Sequence, residues 1–138
     1  MAADKEIEIG TNFEPRFDSN GLITAISQDV ETSQVLMVAF MNKESLDLTI
    51  KTGQAVFYSR SRRKLWKKGE ESGHIQKVKQ ILVDCDQDCL ILKVEVDEGQ
   101  CHTGYQSCFY RAVKKNNLKE LEFIAEKVYD PEKTYKKK

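Results

Sequence analysis

Proline, histidine and tryptophan are scarce in this chain, with two, two and one among 138 residues, and long apolar runs are missing altogether. The longest such run, Val35 to Met41, falls far short of the roughly 20 residues a spanning helix requires, which excludes an α-helical membrane protein. No secretory signal is visible, because Met1-Ala2-Ala3-Asp4-Lys5-Glu6 carries acids where such a signal has a basic stretch followed by an apolar one. The expected compartment is therefore cytoplasmic. A net charge is lacking too, since 22 basic residues balance 22 acidic ones, and a chain without basic excess is a poor fit to a nucleic-acid partner. What remains is a 40% hydrophobic chain without repeats or linkers, expected to fold as a single domain over residues 1–138. A chain of this length buries about two-thirds of its unfolded surface and needs no disulfide framework.

The apolar pattern is mainly that of strands. Residues 22–28 and 34–40 are rich in β-branched and apolar side chains and flank a polar stretch, which reads as two strands joined by a turn. Asn42 is placed to cap a helix over 43–52, with Met41 and Leu46 as a hydrophobic staple and Gly53 as its terminator. Further strands are expected at 55–59, 75–83, 90–96 and 107–113. Residues 121–129 fit a strand or a helical stripe. The tail, 131–138, is basic and expected to fray.

The balanced total conceals local charge. Cytosolic thiols stay reduced, so clustered cysteines point to metal or chemistry, and Cys85, Cys89, Cys101 and Cys108 share one short segment. Three thiolates suit zinc. If Cys89 adds a fourth across a tight turn, the site is closed and structural. If only Cys85, Cys101 and Cys108 bind, a position stays open to water, whose pKa the metal lowers toward neutrality. A third reading has these cysteines as buried apolar residues without metal. Asp84, Asp86 and Asp88 alternate around Cys85 on a predicted hairpin tip. No glycine stands where a calcium loop needs one, so magnesium, bound partly through water and substrate phosphate, suits these carboxylates better, and a solvated acidic turn is the alternative. Between Tyr58 and His74 lie Arg60, Arg62, Arg63, Lys64, Lys67 and Lys68 with Trp66. Guanidinium forks grip phosphate, and with acids following at Glu70 and Glu71 a discrete phosphorylated metabolite fits better than a nucleic acid.

Taken in order, Ser59-Arg60-Ser61-Arg62 with Leu65-Trp66 and Lys68-Gly69-Glu70, Ser72-Gly73-His74 with Gln76, Asp84-Cys85-Asp86 with Asp88, and Cys101-His102-Thr103-Gly104 with Ser107-Cys108-Phe109 resemble the phosphoribosyl-AMP cyclohydrolases of histidine biosynthesis, in their free-standing form. The resemblance covers a motif-bearing core of about 17–111. It implies a mainly β (α+β) fold: a twisted, half-barrel-like antiparallel sheet with one helix at about 43–52, in an intertwined homodimer with active sites at the interface. It implies zinc on Cys85, Cys101 and Cys108, one ion per subunit, and magnesium on Asp84, Asp86 and Asp88. Cys89 lies outside the motif. The implied reaction is hydrolytic opening of the adenine ring of N1-(5-phosphoribosyl)-AMP at the N1–C6 bond, with a nearby group moving protons as that bond breaks. His102 is the first candidate for that role and His74 the second. Arg60, Arg62 and Lys68 are the candidate phosphate contacts, with Trp66 packing beside them. A zinc-stabilised nucleotide- or nucleic-acid-binding module and a different zinc hydrolase acting on a purine nucleotide are the rival readings.

Overall fold

The computed structural model describes residues 5–70, 72–97 and 99–132. In chain order its elements are α1 (Lys5–Ile9), β1 (Ile23–Asp29), β2 (Val35–Met41), α2 (Lys43–Thr52), β3 (Val56–Ser59), β4 (Lys64–Lys67), β5 (Gln76–Val83), β6 (Cys89–Val96), β7 (Arg111–Val113) and β8 (Leu121–Phe123). Six strands form one sheet in the order β4-β3-β2-β1-β6-β5, and β7 pairs with β8 in a separate hairpin. The chain is mainly β, and its large sheet curls into a half-barrel. The curl is visible where the two flanks meet: Gln54, just before β3, bridges to Lys77 of β5, while Ala55 N–H donates to the Gln76 carbonyl at 3.0 Å and Val78 N–H to the Gly53 carbonyl at 2.8 Å.

The expectation of a wholly antiparallel sheet needs one correction. β1 and β6 pair in parallel, from Thr24 opposite Cys89 to Asp29 opposite Val94, because β2 through β5 intervene and supply the long crossover that parallel neighbours require. The inside of the curl is apolar: Ile23 and Ala25 of β1, Leu36 and Met41 of β2, Phe57 of β3 and Leu90, Leu92 and Val94 of β6 are buried together. Alternation along β6 puts every second side chain into this core. The helix α2 matches its predicted bounds. Asn42 accepts the Ser45 N–H at 2.8 Å and Ser45 Oγ accepts the Asn42 N–H at 2.9 Å, closing a capping box, and Gly53 ends the helix in the left-handed conformation at φ 73°.

Four parts differ from the sequence reading. β4 occupies part of the basic segment, where edge position suits its lysines. The strand expected at 107–113 is only Arg111–Val113, and 121–129 resolves to the short strand Leu121–Phe123. α1 has no counterpart in the expectations. Of the tail, 133–138 lies outside the described residues.

Candidate active site

The β3–β4 hairpin, the loop after β4 and the segment after β6 together enclose a cavity of about 580 Å³. Its walls include Ser59, Ser61, Arg62, Lys64 and Trp66 from the hairpin, Lys68 beyond it, and Gln100, His102 and Cys108 from the far loop. A concave space of this size, with convergent basic and hydroxyl groups on one wall, suits a small anionic ligand. Arg60 is placed elsewhere. Its guanidinium lies 4.0 Å from the centre of the Phe40 ring, over the neighbouring shallow surface rather than the cavity. The hairpin turn alternates its arginines, and Arg63 takes up the left-handed φ of 52° that the turn demands.

Lys68 is nearly buried. Its Nζ donates to the Gln100 carbonyl at 2.6 Å. Burial lowers its pKa, and the neighbouring Cys108 and Cys101 oppose that effect when charged. A buried chain of hydrogen bonds backs this wall: Ser27 Oγ donates to Gln76 Oε1 at 2.6 Å, and Gln76 Nε2 to Gln100 Oε1 at 3.1 Å. Sequence reasoning assigned no role to Gln100. Gln76 was visible only as one residue of a motif. A polar residue in a loop gives no sign from sequence that the fold will bury it. Trp66 lies 5.1 Å from Phe57, ring to ring, so one part of its ring packs on the core while its edge reaches the cavity.

Cys101 and Cys108 face each other at this mouth. Cys101 is buried, its Sγ 2.8 Å from Thr103 Oγ1. Cys108 is open to solvent on one side, yet desolvation on the other and the adjoining Cys101 push its thiol up to about 12. A metal that lowers thiol pKa is the natural counterpart of such a pair. The turn at Cys101 is tight: Gly104 has φ 100°, and a Cβ there would meet the Tyr129 carbonyl oxygen at 2.6 Å. Tyr129 in turn donates its hydroxyl to the Cys101 carbonyl at 2.6 Å. His102 lines the cavity next to Cys101. His74 lies off it, with Nδ1 2.6 Å from the Gly99 carbonyl and its ring edge-on to Tyr129 at 4.9 Å.

Cys85 is elsewhere. It sits exposed on the β5–β6 turn, before β6, whereas Cys101 follows the other end of that strand. The eight residues of β6 span about 25 Å, while two sulfurs on one zinc lie no more than about 4.6 Å apart, twice the bond length. Cys89, the first residue of β6, is also at the Cys85 end, and burial raises its thiol pKa. One chain therefore assembles neither a four-thiolate site nor the three-thiolate set. The turn does assemble carboxylates. Asp84, Asp86 and Asp88 each bring an oxygen within 4.8 Å of the others, and they are the one group of three or more potential metal ligands so close among the described residues. Hydrogen bonding to Asp86 and then Asp84 holds the Asp88 carboxyl above its ordinary pKa. Crowded oxygen donors of this kind fit a hard divalent cation.

Comparison with known proteins gives the same answer along most of the chain. Residues 37–110 match the sequence model of the family described as phosphoribosyl-AMP cyclohydrolase. Among curated relatives, the phosphoribosyl-AMP cyclohydrolase of Methanococcoides burtonii is 57% identical over 120 residues, covering 87% of this chain and 94% of that protein. That of Methanothermobacter thermautotrophicus is 53% identical over 130 residues, 94% of each chain. That of Rhodopseudomonas palustris is 52% identical over 139 aligned positions, 98% of this chain and 92% of its own.

Proposed function

Because the chain belongs to the phosphoribosyl-AMP cyclohydrolase family, a family of hydrolases in histidine biosynthesis, we propose that it opens the adenine ring of N1-(5-phosphoribosyl)-AMP by hydrolysis of the N1–C6 bond. The observation that supports this reading is the cavity that joins a basic, hydroxyl-bearing wall to Cys108 and His102, with Cys101 adjoining Cys108. Arg62, with the hydroxyls of Ser59 and Ser61, holds a phosphate at one end. Trp66 gives the purine an apolar edge to lie against. Lys68, fixed by the Gln100 carbonyl, supplies positive charge at the inner wall.

His102 is the group we assign to proton movement. Water adds at C6 and loses a proton, and the C6–N1 bond breaks as N1 gains one. A side chain that accepts the first proton and delivers the second keeps either charge from building up. His74, committed to the Gly99 carbonyl, is the second choice.

The metals are part of the proposal. Cys101 and Cys108 of one subunit and Cys85 of a second copy would hold zinc, which supplies Lewis acidity at the reacting carbon when bound. Asp84, Asp86 and Asp88 would hold magnesium, with substrate phosphate completing its shell. The separation of the thiols along β6 supports a homodimer in which two chains share each site. Such a dimer also gives the apolar side chains of the β7–β8 region, Phe109, Val113, Leu121, Phe123 and Ile124, all exposed in the single chain, a surface to cover. We place the activity in a single domain over residues 1–138, in the cytoplasm, with no nucleic-acid or membrane partner. No helix among the described residues is long and apolar enough to cross a membrane. A turnover assay on N1-(5-phosphoribosyl)-AMP, followed by product absorbance, is the direct test. Ring opening that disappears with zinc removal is the expected result, and turnover of another purine nucleotide in its place overturns the reading.

A further inference from the structure

Gln87 stands between Asp86 and Asp88, nearly buried although it belongs to a surface turn, and its backbone is left-handed at φ 58°. Few residues other than glycine adopt that conformation without a compensating contact. Here the contacts come from the other end of the chain. Gln87 Oε1 accepts the Glu14 N–H at 2.7 Å. Its Nε2 donates to the Asn12 carbonyl at 3.2 Å and to the Ile7 carbonyl at 3.4 Å. The Gln87 carbonyl accepts the Arg16 N–H at 2.7 Å, and its own N–H closes the turn on the Asp84 carbonyl at 3.0 Å. The amide side chain is thus wholly occupied in tying residues 7–16 to the turn.

Three carboxylates within 4.8 Å of one another repel when no cation lies between them, and an exposed turn yields to that force by opening. Asp84 resists through Oδ1, which accepts the N–H groups of Asp88 and Cys89 at 3.0 and 3.2 Å. Those bonds fix the Asp84 carboxylate, and hydrogen bonding of the Asp88 carboxyl to Asp86 and Asp84 links the other two, while the backbone that carries all three turns at Gln87. We propose that Gln87 is a positioning residue for the cation: by clasping the N-terminal segment it holds Asp84, Asp86 and Asp88 in the converged arrangement, so that this segment sets the divalent-cation affinity of the turn. The proposal rests on the reading of the turn as the cation site. Groups that orient metal ligands without touching the metal commonly change affinity about 10- to 100-fold.

The test uses the zinc-loaded full-length chain and manganese(II) as the probe, with binding measured by electron paramagnetic resonance and clasp integrity by hydrogen exchange at the Glu14 amide. Gln87→Ala removes the side-chain bonds of the clasp, leaves the Arg16 N–H on the backbone carbonyl at position 87, and keeps the backbone constraint. Gln87→Gly removes the same side-chain bonds and relieves that constraint, so weakening common to both variants is not backbone strain. The expected result is a manganese dissociation constant raised about 10-fold or more in both, with faster exchange at Glu14. Affinity within about twofold of the parent protein, whether or not Glu14 exchanges faster, overturns the proposal. Asp86→Asn is the separate control. If that change leaves manganese binding intact, the reading of the turn as the cation site fails.

Discussion

At the scale of single residues, two of the three arginines of the β3–β4 hairpin are placed in different surroundings. Arg62 lines the cavity, and Arg60 lies over Phe40. A charge-assisted hydrogen bond to phosphate contributes roughly 1.5–3 kcal/mol, so Arg62→Ala is expected to raise KM about 10-fold or more with a smaller change in kcat. Arg60→Ala loses an exposed cation–π contact worth about 0.5–1 kcal/mol of stability and leaves KM near that of the parent. Steady-state kinetics on both variants checks this, and equal effects would mean that the cavity is not where phosphate binds. The cysteines divide in the same way. Cys101→Ser and Cys108→Ser should lose zinc, measured by atomic absorption, while Cys89→Ser, at the other end of β6 and outside the paired thiols, should keep it. The identity of these residue types was legible in the sequence. Which of two neighbouring arginines faces inward was not, because that depends on a turn whose left-handed residue is Arg63 rather than a glycine.

At the scale of elements, local chemistry made the helix and most strands readable. Asn42, Ser45 and Gly53 specify α2 at both ends without help from distant parts of the chain. Asn42→Ala should therefore cost about 1 kcal/mol of unfolding free energy, seen as a lower denaturation midpoint, with Asn42→Asp close to neutral. A harsher result is expected for Gly104→Ala, which meets both an unfavourable φ and the Tyr129 carbonyl. It should destabilise the Cys101 turn by about 1–3 kcal/mol and loosen zinc retention. β4 was hidden because its ends are lysines, and an edge strand needs little apolar signal when only one partner strand must be satisfied. β7 and β8 proved short because their apolar residues stay on the surface, with Tyr105, Tyr110 and Phe123 stacked on one another rather than on the core. The parallel pairing of β1 with β6 joins residues some 65 positions apart in the chain, as Thr24 opposite Cys89 shows, and no local pattern encodes such a choice.

At the scale of the whole molecule, β6 sets the two thiol-bearing segments of one chain apart. The acidic turn with Cys85 precedes that strand, and Cys101 and the cavity residue Cys108 follow its other end. The sequence brings these motifs close in number, yet an extended strand between them carries them apart, so spacing alone suggests a site that one chain does not form. In a symmetric dimer each of the two sites would take Cys85 from one subunit and the thiol pair from the other. Mixing two inactive variants then gives a result that no single-chain site allows. In a heterodimer of Cys85→Ser and Cys101→Ser subunits, one site lacks both contributions and the other lacks neither. Random reassortment of equal amounts makes half of the dimers mixed, each with one intact site of two, so about a quarter of wild-type activity and zinc content should return. Each variant alone should remain inactive. If subunit exchange is verified by a mass tag and activity stays at zero, the thiols of one site do not come from two chains in this way.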